Sequence, residues 1–254
     1  MRLLEGKRGL VVGIANEHSI AAGCAQAFVR DGAELAVTYL NDKARPHVEP
    51  VATDLNARLL MPLDVTSDTQ MDALFKAIDA QWGQLDFLLH AVAYCPQKDL
   101  HGSVVDCSRE GFGVAMDVSV HSFIRLARRA RPLMKNGGCL LTVSYYGAEK
   151  VVDHYNVMGP VKAALESTVK YMAAELGPEG IRVNAVSPGP VMTRAASGIA
   201  HFDRLIDEAR DRAPQHRLVT IEDVGNMAAG LVSSSARNVT GNIAYVDAGY
   251  HVMS

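Results

Sequence analysis

Tyr155 and Lys162 stand with six residues between them in the stretch Ser144-Tyr145-Tyr146-Gly147-Ala148-Glu149-Lys150-Val151-Val152-Asp153-His154-Tyr155-Asn156-Val157-Met158-Gly159-Pro160-Val161-Lys162. On a dinucleotide-binding fold a Tyr/Lys pair serves hydride transfer beside a carbonyl, and its spacing separates reduction of a C=C bond from reduction of a C=O bond. At about 100° per residue the two side chains are about 700° apart, so a helix carrying both puts them on one face. A Tyr-x-x-x-Lys pair shares a face after one turn, but four residues before Lys162 stands Met158, which cannot donate a proton. Tyr146 and Lys150 form a literal Tyr-x-x-x-Lys. They follow directly on an apolar strand and are interrupted by Gly147, with no helix start before them, so Lys150 is taken as a solvated loop residue.

The elements that must position the pair are legible as alternating apolar runs. Strands are predicted at Arg8–Val12, Leu35–Tyr39, Arg58–Met61, Phe87–His90, Cys139–Val143, Ile181–Val186 and Ile243–Val246. Helices are predicted at Ser19–Asp31, Pro46–Asn56, Thr66–Trp82, Arg109–Met134 and Tyr155–Leu176. The last carries Val161, Leu165, Val169, Met172 and Leu176 on one face. Fully apolar strands alternating with helices imply a parallel sheet covered on both faces, a doubly wound, Rossmann-like α/β fold. No linker or repeat divides residues 1–254, so one domain is expected. Ligands on such sheets bind at the carboxyl ends of the strands, which here carry Gly13, Tyr39, Asp64, His90, Ser144 and Ser187.

A net charge of −3 and an apolar fraction of 48% give no field for nucleic acid or an acidic membrane. No stretch reads as a membrane span, and Gly9–Gly13 reads as a first strand rather than the core of a signal peptide. Cys24, Cys95, Cys107 and Cys139 lack C-x-x-C spacing and read as reduced thiols of a cytoplasmic protein. The nine histidines show no H-E-x-x-H or comparable spacing, which argues against a metal site. His90 is expected to be a satisfied core histidine.

After the first strand comes Gly13-Ile14-Ala15-Asn16-Glu17-His18-Ser19-Ile20-Ala21, with one glycine for close backbone approach and a serine at the helix start. Ser19 can cap that helix and bond a phosphate there; a plain strand–helix turn would look the same. This loop resembles that of the bacterial enoyl-acyl-carrier-protein reductases (FabI type), a divergent branch of the short-chain dehydrogenase/reductase superfamily. The resemblance runs through Leu63-Asp64-Val65, Ser144-Tyr145-x-Gly147-Ala148-Glu149, Tyr155-Asn156-Val157-Met158-Gly159, Gly177–Asn184, Gly189-Pro190, Ala195–Ile199 and Val246-Asp247-x-Gly249. It departs from the family at Pro160, Pro188 and Arg194.

The resemblance implies NADH-dependent reduction of the C2=C3 bond of trans-2-enoyl thioesters on acyl-carrier protein, the last step of fatty-acid elongation, by a cytoplasmic homotetramer. Tyr155 would stabilise the enolate oxygen, Lys162 would hold the nicotinamide ribose, and Tyr145 would be the second active-site tyrosine. Cofactor contacts would come from Gly13, Ser19, Ile20, Leu40, Asp64, Val65, Val92, Lys162, Val191 and Thr193. The substrate would meet Cys95, Tyr145, Tyr155, Met158 and a covering segment at about 191–212 that includes Ala195, Ala196, Ile199 and Phe202. Asp64 could equally cap the following helix. Tyr39-Leu40-Asn41-Asp42-Lys43 has nothing basic at 40 or 41 to pair with a 2′-phosphate, which favours NADH; Lys43 and Arg45 keep NADPH open as the less favoured cofactor. Two competing readings stand beside this one: a carbonyl-reducing dehydrogenase and a non-catalytic NAD(H)-binding protein.

Overall fold

The computed structural model describes residues 2–191 and 202–253, the side chains of 202–205 excepted. In chain order the main elements are β1 (Arg8–Val12), α1 (Ile20–Arg30), β2 (Glu34–Tyr39), α2 (Arg45–Asp54), β3 (Leu59–Pro62), α3 (Asp68–Trp82), β4 (Phe87–His90), α4 (Gln97–His101), α5 (Arg109–Met116), α6 (Ser122–Ala130), β5 (Gly138–Val143), α7 (Met158–Leu176), β6 (Ile181–Pro188), α8 (Phe202–Arg212), α9 (Ile221–Val232) and β7 (Ile243–Val246). The strands form one parallel sheet in the order β3-β2-β1-β4-β5-β6-β7. All seven predicted strands are present.

Two cores flank the sheet because successive strand side chains point to opposite faces. Leu10 and Val12 of β1, Leu88 of β4 and Leu140 of β5 face α3, α5, α6 and α7. Val11, Phe87, Leu89, Cys139 and Leu141 face α1, α2 and α9. Every one of these nine is essentially removed from solvent, which is why the strands carry no polar alternation.

Two predicted helices differ in extent, and one observed helix was not expected. The helix expected over Arg109–Met134 is broken: a π-helical turn at Asp117–His121 separates α5 from α6, and a 3₁₀ turn at Arg131–Leu133 ends it. The wider turn brings Ser119 and Ser122 inward, both fully buried. The helix expected over Tyr155–Leu176 begins only at Met158, because His154 (φ 63°) and Asn156 (φ 46°) are left-handed and hold Tyr155 in a turn ahead of it. Pro160 falls in the first turn of α7, where a missing N–H costs nothing. Finally, α9 lies in a Gly/Ser/Asn-rich region that gives no helical expectation. It crosses α1 at contact distance: a Cβ on Gly23 would lie 2.4 Å from the Ile221 carbonyl oxygen, and one on Gly225 2.4 Å from that of Gly23. Among the described residues no helix is long and apolar enough to cross a membrane.

Candidate active site

The carboxyl edge of the sheet gathers the predicted residues. Gly13, just past β1, has φ +113°, and a Cβ there would lie 2.2 Å from the Ala91 carbonyl oxygen. Only glycine lets the β1 and β4 ends approach so closely while presenting a bare backbone to a ligand. Gly13→Ala is therefore expected to cost about 3 kcal/mol. Its thermal midpoint should fall by roughly 10 °C in calorimetry; an unshifted midpoint would mean the loop relaxes freely.

The Ser19 side chain caps α1, accepting from the Ala22 amide at 3.3 Å, and its hydroxyl donates to the Asn16 carbonyl at 2.8 Å. The first helical amides, Ile20 among them, have no intrahelical acceptor, so this end of α1 favours an anion. Beyond β2, Leu40 is exposed, and the Asn41 carboxamide oxygen accepts from the Lys43 and Ala44 amides. Arg45 is turned to Glu49 at 3.2 Å and lies over the Tyr39 ring. At the end of β3, Asp64 accepts from the Thr66 amide at 2.9 Å and hydroxyl at 2.7 Å. The alternative of a helix cap is not realised: that helix starts at Asp68 rather than Thr66, and Ser67 is its cap, leaving Asp64 to shape the turn before it. Val65 beside it is buried, Val92 packs on the apolar cluster beneath the sheet edge, and Val191 is buried.

His90 ends β4 fully buried, with its ring nitrogens 2.8 Å from the Thr142 and Ser122 hydroxyls. It is the satisfied core histidine expected. Burial, with the nearby Lys162 charge, lowers its pKa to about 3, so it stays neutral over the working range. The unfolded chain, titrating at 6.5, binds a proton that the native state refuses between these values. Stability therefore falls as pH drops from 6.5 toward 3. Guanidinium unfolding at pH 7 and pH 4 should show about 3 kcal/mol more acid loss in the wild type than in His90→Gln. Equal losses would rule out His90 as the titrating group.

Three consecutive residues at the end of β5 organise the centre. The Val143 carbonyl accepts from Lys162 Nζ at 2.7 Å. The Ser144 hydroxyl donates to Glu166 Oε1 at 2.5 Å. The Tyr145 ring meets the Tyr155 ring edge-on, centroids 4.8 Å apart. Lys162 and Glu166, one turn apart on α7, are both buried. Desolvation lowers the Lys162 pKa to about 8, opposed by the Glu166 charge. Burial raises the pKa of Tyr155, and likewise that of Tyr145, so both phenols stay protonated. The Tyr155 turn is pinned by Asn156 Nδ2, which donates to the Leu100 carbonyl at 2.8 Å. A Cβ on Gly147 would lie 2.6 Å from the Tyr155 ring, so that glycine is required for the ring's seat.

Tyr146, by contrast, turns its ring to Tyr250, and Lys150 is exposed. The shorter Tyr/Lys pattern assembles nothing. Cys95 and Met158 share the apolar cluster with Tyr155, and burial pushes the Cys95 thiol up to about 11. Thr193, Ala195, Ala196 and Ile199 lie outside the described residues, as does the side chain of Phe202. Glu166 gave no signal in the sequence beyond a Lys/Glu pair at helical spacing.

The site fits a dinucleotide on its own features. The bare backbone at Gly13 and the α1 N-terminus suit a pyrophosphate. Two buried hydroxyls at the sheet edge, those of Tyr145 and Ser187, have no hydrogen-bond partner among the described residues. A family model for enoyl-(acyl carrier protein) reductase matches residues 13–251. The chain belongs to the enoyl-(acyl carrier protein) reductase family. It is 48% identical to enoyl-[acyl-carrier-protein] reductase [NADH] FabI of Aquifex aeolicus, over all of this chain and 94% of that one. It superposes with a TM-score of 0.96 on the reductase of Anaplasma phagocytophilum in complex with NAD, at 47% identity, covering 99% of this chain and 96% of that one. A Bacillus cereus reductase solved with NADP+ and an indole naphthyridinone gives a TM-score of 0.97 at 42% identity, each chain fully covered.

Proposed function

We propose that this chain reduces the C2=C3 bond of trans-2-enoyl-acyl-carrier-protein thioesters with NADH, the closing step of each fatty-acid elongation round. The observation that carries the reading is the β5 end, where Val143, Ser144 and Tyr145 bring Lys162, Glu166 and Tyr155 to the carboxyl edge of a parallel sheet. When bound, NADH would supply a hydride to C3; the negative charge this leaves on the thioester oxygen is discharged when C2 takes a proton, from solvent or through the tyrosine. Tyr155, kept protonated by burial, donates a hydrogen bond to that oxygen. Such a donor stabilises developing charge by about 3 kcal/mol. Tyr145 supports the Tyr155 ring and lines the acyl site with Cys95 and Met158. Lys162 holds the nicotinamide-ribose hydroxyls, with Val92, Val191 and Thr193 about the nicotinamide. Gly13, Ser19 and Ile20 take the pyrophosphate, and Leu40, Asp64 and Val65 frame the adenosine. By the family resemblance, Ala195, Ala196, Ile199 and Phe202 would cover the acyl chain.

NADH is favoured over NADPH because Arg45 is committed to Glu49 and Tyr39, which leaves Lys43 as the nearby cation for a 2′-phosphate. Exposed Phe112, Ile124 and Tyr171 on α5, α6 and α7 accord with self-association on that face of the sheet; the homotetramer is what the family resemblance implies. Four free cysteines accord with a cytoplasmic setting.

Steady-state rates with crotonyl- and acetoacetyl-thioesters, each with NADH and NADPH, test this directly. Oxidation of NADH by the enoyl substrate is expected; turnover of the keto substrate alone would overturn the reading in favour of a carbonyl reductase. Sedimentation velocity of the purified protein should give a single tetramer boundary, and a monomer boundary would remove the assembly.

A further inference from the structure

We propose that Glu166 is a positioning residue for this reaction: its carboxylate, one helical turn beyond Lys162 and bonded to the Ser144 hydroxyl, keeps Lys162 cationic and anchors the strand end that carries Tyr145. The inference rests on reading Lys162 as the cofactor's ribose clamp. Two α7 side chains of opposite charge grip adjacent residues of β5, Lys162 through the Val143 carbonyl at 2.7 Å and Glu166 through the Ser144 hydroxyl at 2.5 Å. Because the grip ends where Tyr145 begins, it also sets the ring that packs on Tyr155 at 4.8 Å.

A carboxylate that is only 5% exposed would not be retained at such a place without a partner. Lys162 and Glu166 are not in ion-pair contact, each bonding β5 instead, but both are buried one turn apart on α7, where each charge acts on the other through a poorly screened interior. Burial pulls the Lys162 pKa down and the Glu166 charge pushes it back up. On the other side of the balance, burial raises the Glu166 pKa while the Ser144 hydrogen bond, Lys170 and Lys162 lower it and Glu149 raises it. From the packed elements, the groups facing this pair are His90 on β4, Tyr155 ahead of α7, Glu149 beyond β5 and Tyr245 on β7. His90 is neutral throughout, and the tyrosines stay protonated. Glu166 is thus the buried carboxylate in this set, and it determines how far into alkaline pH Lys162 keeps its proton.

The test is the pH dependence of NADH affinity, read by cofactor fluorescence on the full chain, for the wild type, Glu166→Gln and Ser144→Ala. Wild-type affinity is expected to fall off above about pH 8, as Lys162 loses its proton. In Glu166→Gln, which keeps an acceptor for Ser144 but no charge, that fall should begin about one pH unit lower. Affinity at pH 8 should be down about fivefold, with the melting curve still cooperative. A folded Glu166→Gln protein whose profile superposes on wild type overturns the proposal. Should Glu166→Gln not fold, Ser144→Ala decides. Without its hydrogen bond the Glu166 pKa rises further and the charge acting on Lys162 weakens, so the profile should shift in the same direction; an unshifted profile overturns the proposal. Wild-type protein that does not bind NADH would instead sink the cofactor reading beneath it, a result visible before either variant is compared.

Discussion

Tyr155→Phe should lower kcat for an enoyl thioester about 10²- to 10³-fold and leave NADH affinity unchanged. The hydroxyl is the reason for both halves of that result. Its ring is buried against Tyr145 and enclosed by Gly147, so phenylalanine fills the same seat and the turn held by Asn156 survives. What is lost is one proton donor aimed at an oxygen that carries charge only after hydride transfer. An interaction made in the transition state and not in the ground state affects kcat and kcat/KM together. The raised Tyr155 pKa sharpens the expectation, because the phenol is a donor across the whole neutral range and its loss is not masked by ionisation. Tyr145→Phe is the natural control. Its hydroxyl is buried without a partner among the described residues, and its ring supports Tyr155, so a smaller effect confined mainly to KM is expected. Cofactor binding and turnover are separable by fluorescence titration and single-turnover kinetics. A Tyr155→Phe enzyme with wild-type turnover would remove Tyr155 from the chemistry, and a larger defect in Tyr145→Phe would exchange the two roles.

Most of this site was legible before any coordinates, for reasons that differ by element. The strands are apolar at nearly every position because both faces of the sheet are covered, and such runs can be read in isolation. Gly13 and Ser19 could be located because a backbone approach and a helix cap demand those residue types. The Tyr155 seat could not. Treating Tyr155 and Lys162 as two points on one helix misplaced the tyrosine, since left-handed His154 and Asn156 hold it in a turn before α7. Local pattern does not record such a turn, and the Asn156 bond to the Leu100 carbonyl that stabilises it spans 56 residues. The α9 helix was hidden by composition: its glycines read as loop, yet they let it press against α1. One usable signal was present in Thr220 and Asp223, which form a reciprocal capping box at its start. Glu166 was invisible for a third reason. A Lys/Glu pair four residues apart on a helix reads as a solvated surface pair, and only the packing of α7 under β5 buries both side chains and turns each to the strand end.

Lys162→Ala is expected to weaken NADH binding by about 10- to 100-fold, the loss appropriate to hydrogen bonds from a charged group. The Lys162 ammonium reaches the Val143 carbonyl at 2.7 Å from a helix whose core face is packed under β5, so the cation is held in place before any ligand arrives. Ordering that side chain therefore costs the complex little, and its contribution to affinity should be correspondingly complete. Truncation has a second consequence. It removes a positive charge near buried Glu166, which raises the Glu166 pKa further above the usual carboxylate range. The folded protein loses stability as well, and Lys162→Met, which fills the vacated stem volume, separates the two effects. Both variants should lose NADH affinity equally, while the methionine variant should retain more of the wild-type melting temperature. Affinity that tracks the melting temperature instead would assign Lys162 to the fold. Affinity unchanged in both would remove its contact with the ribose. Above pH 8 the wild-type protein should itself approach the variants, because deprotonation takes away the same charge that substitution does.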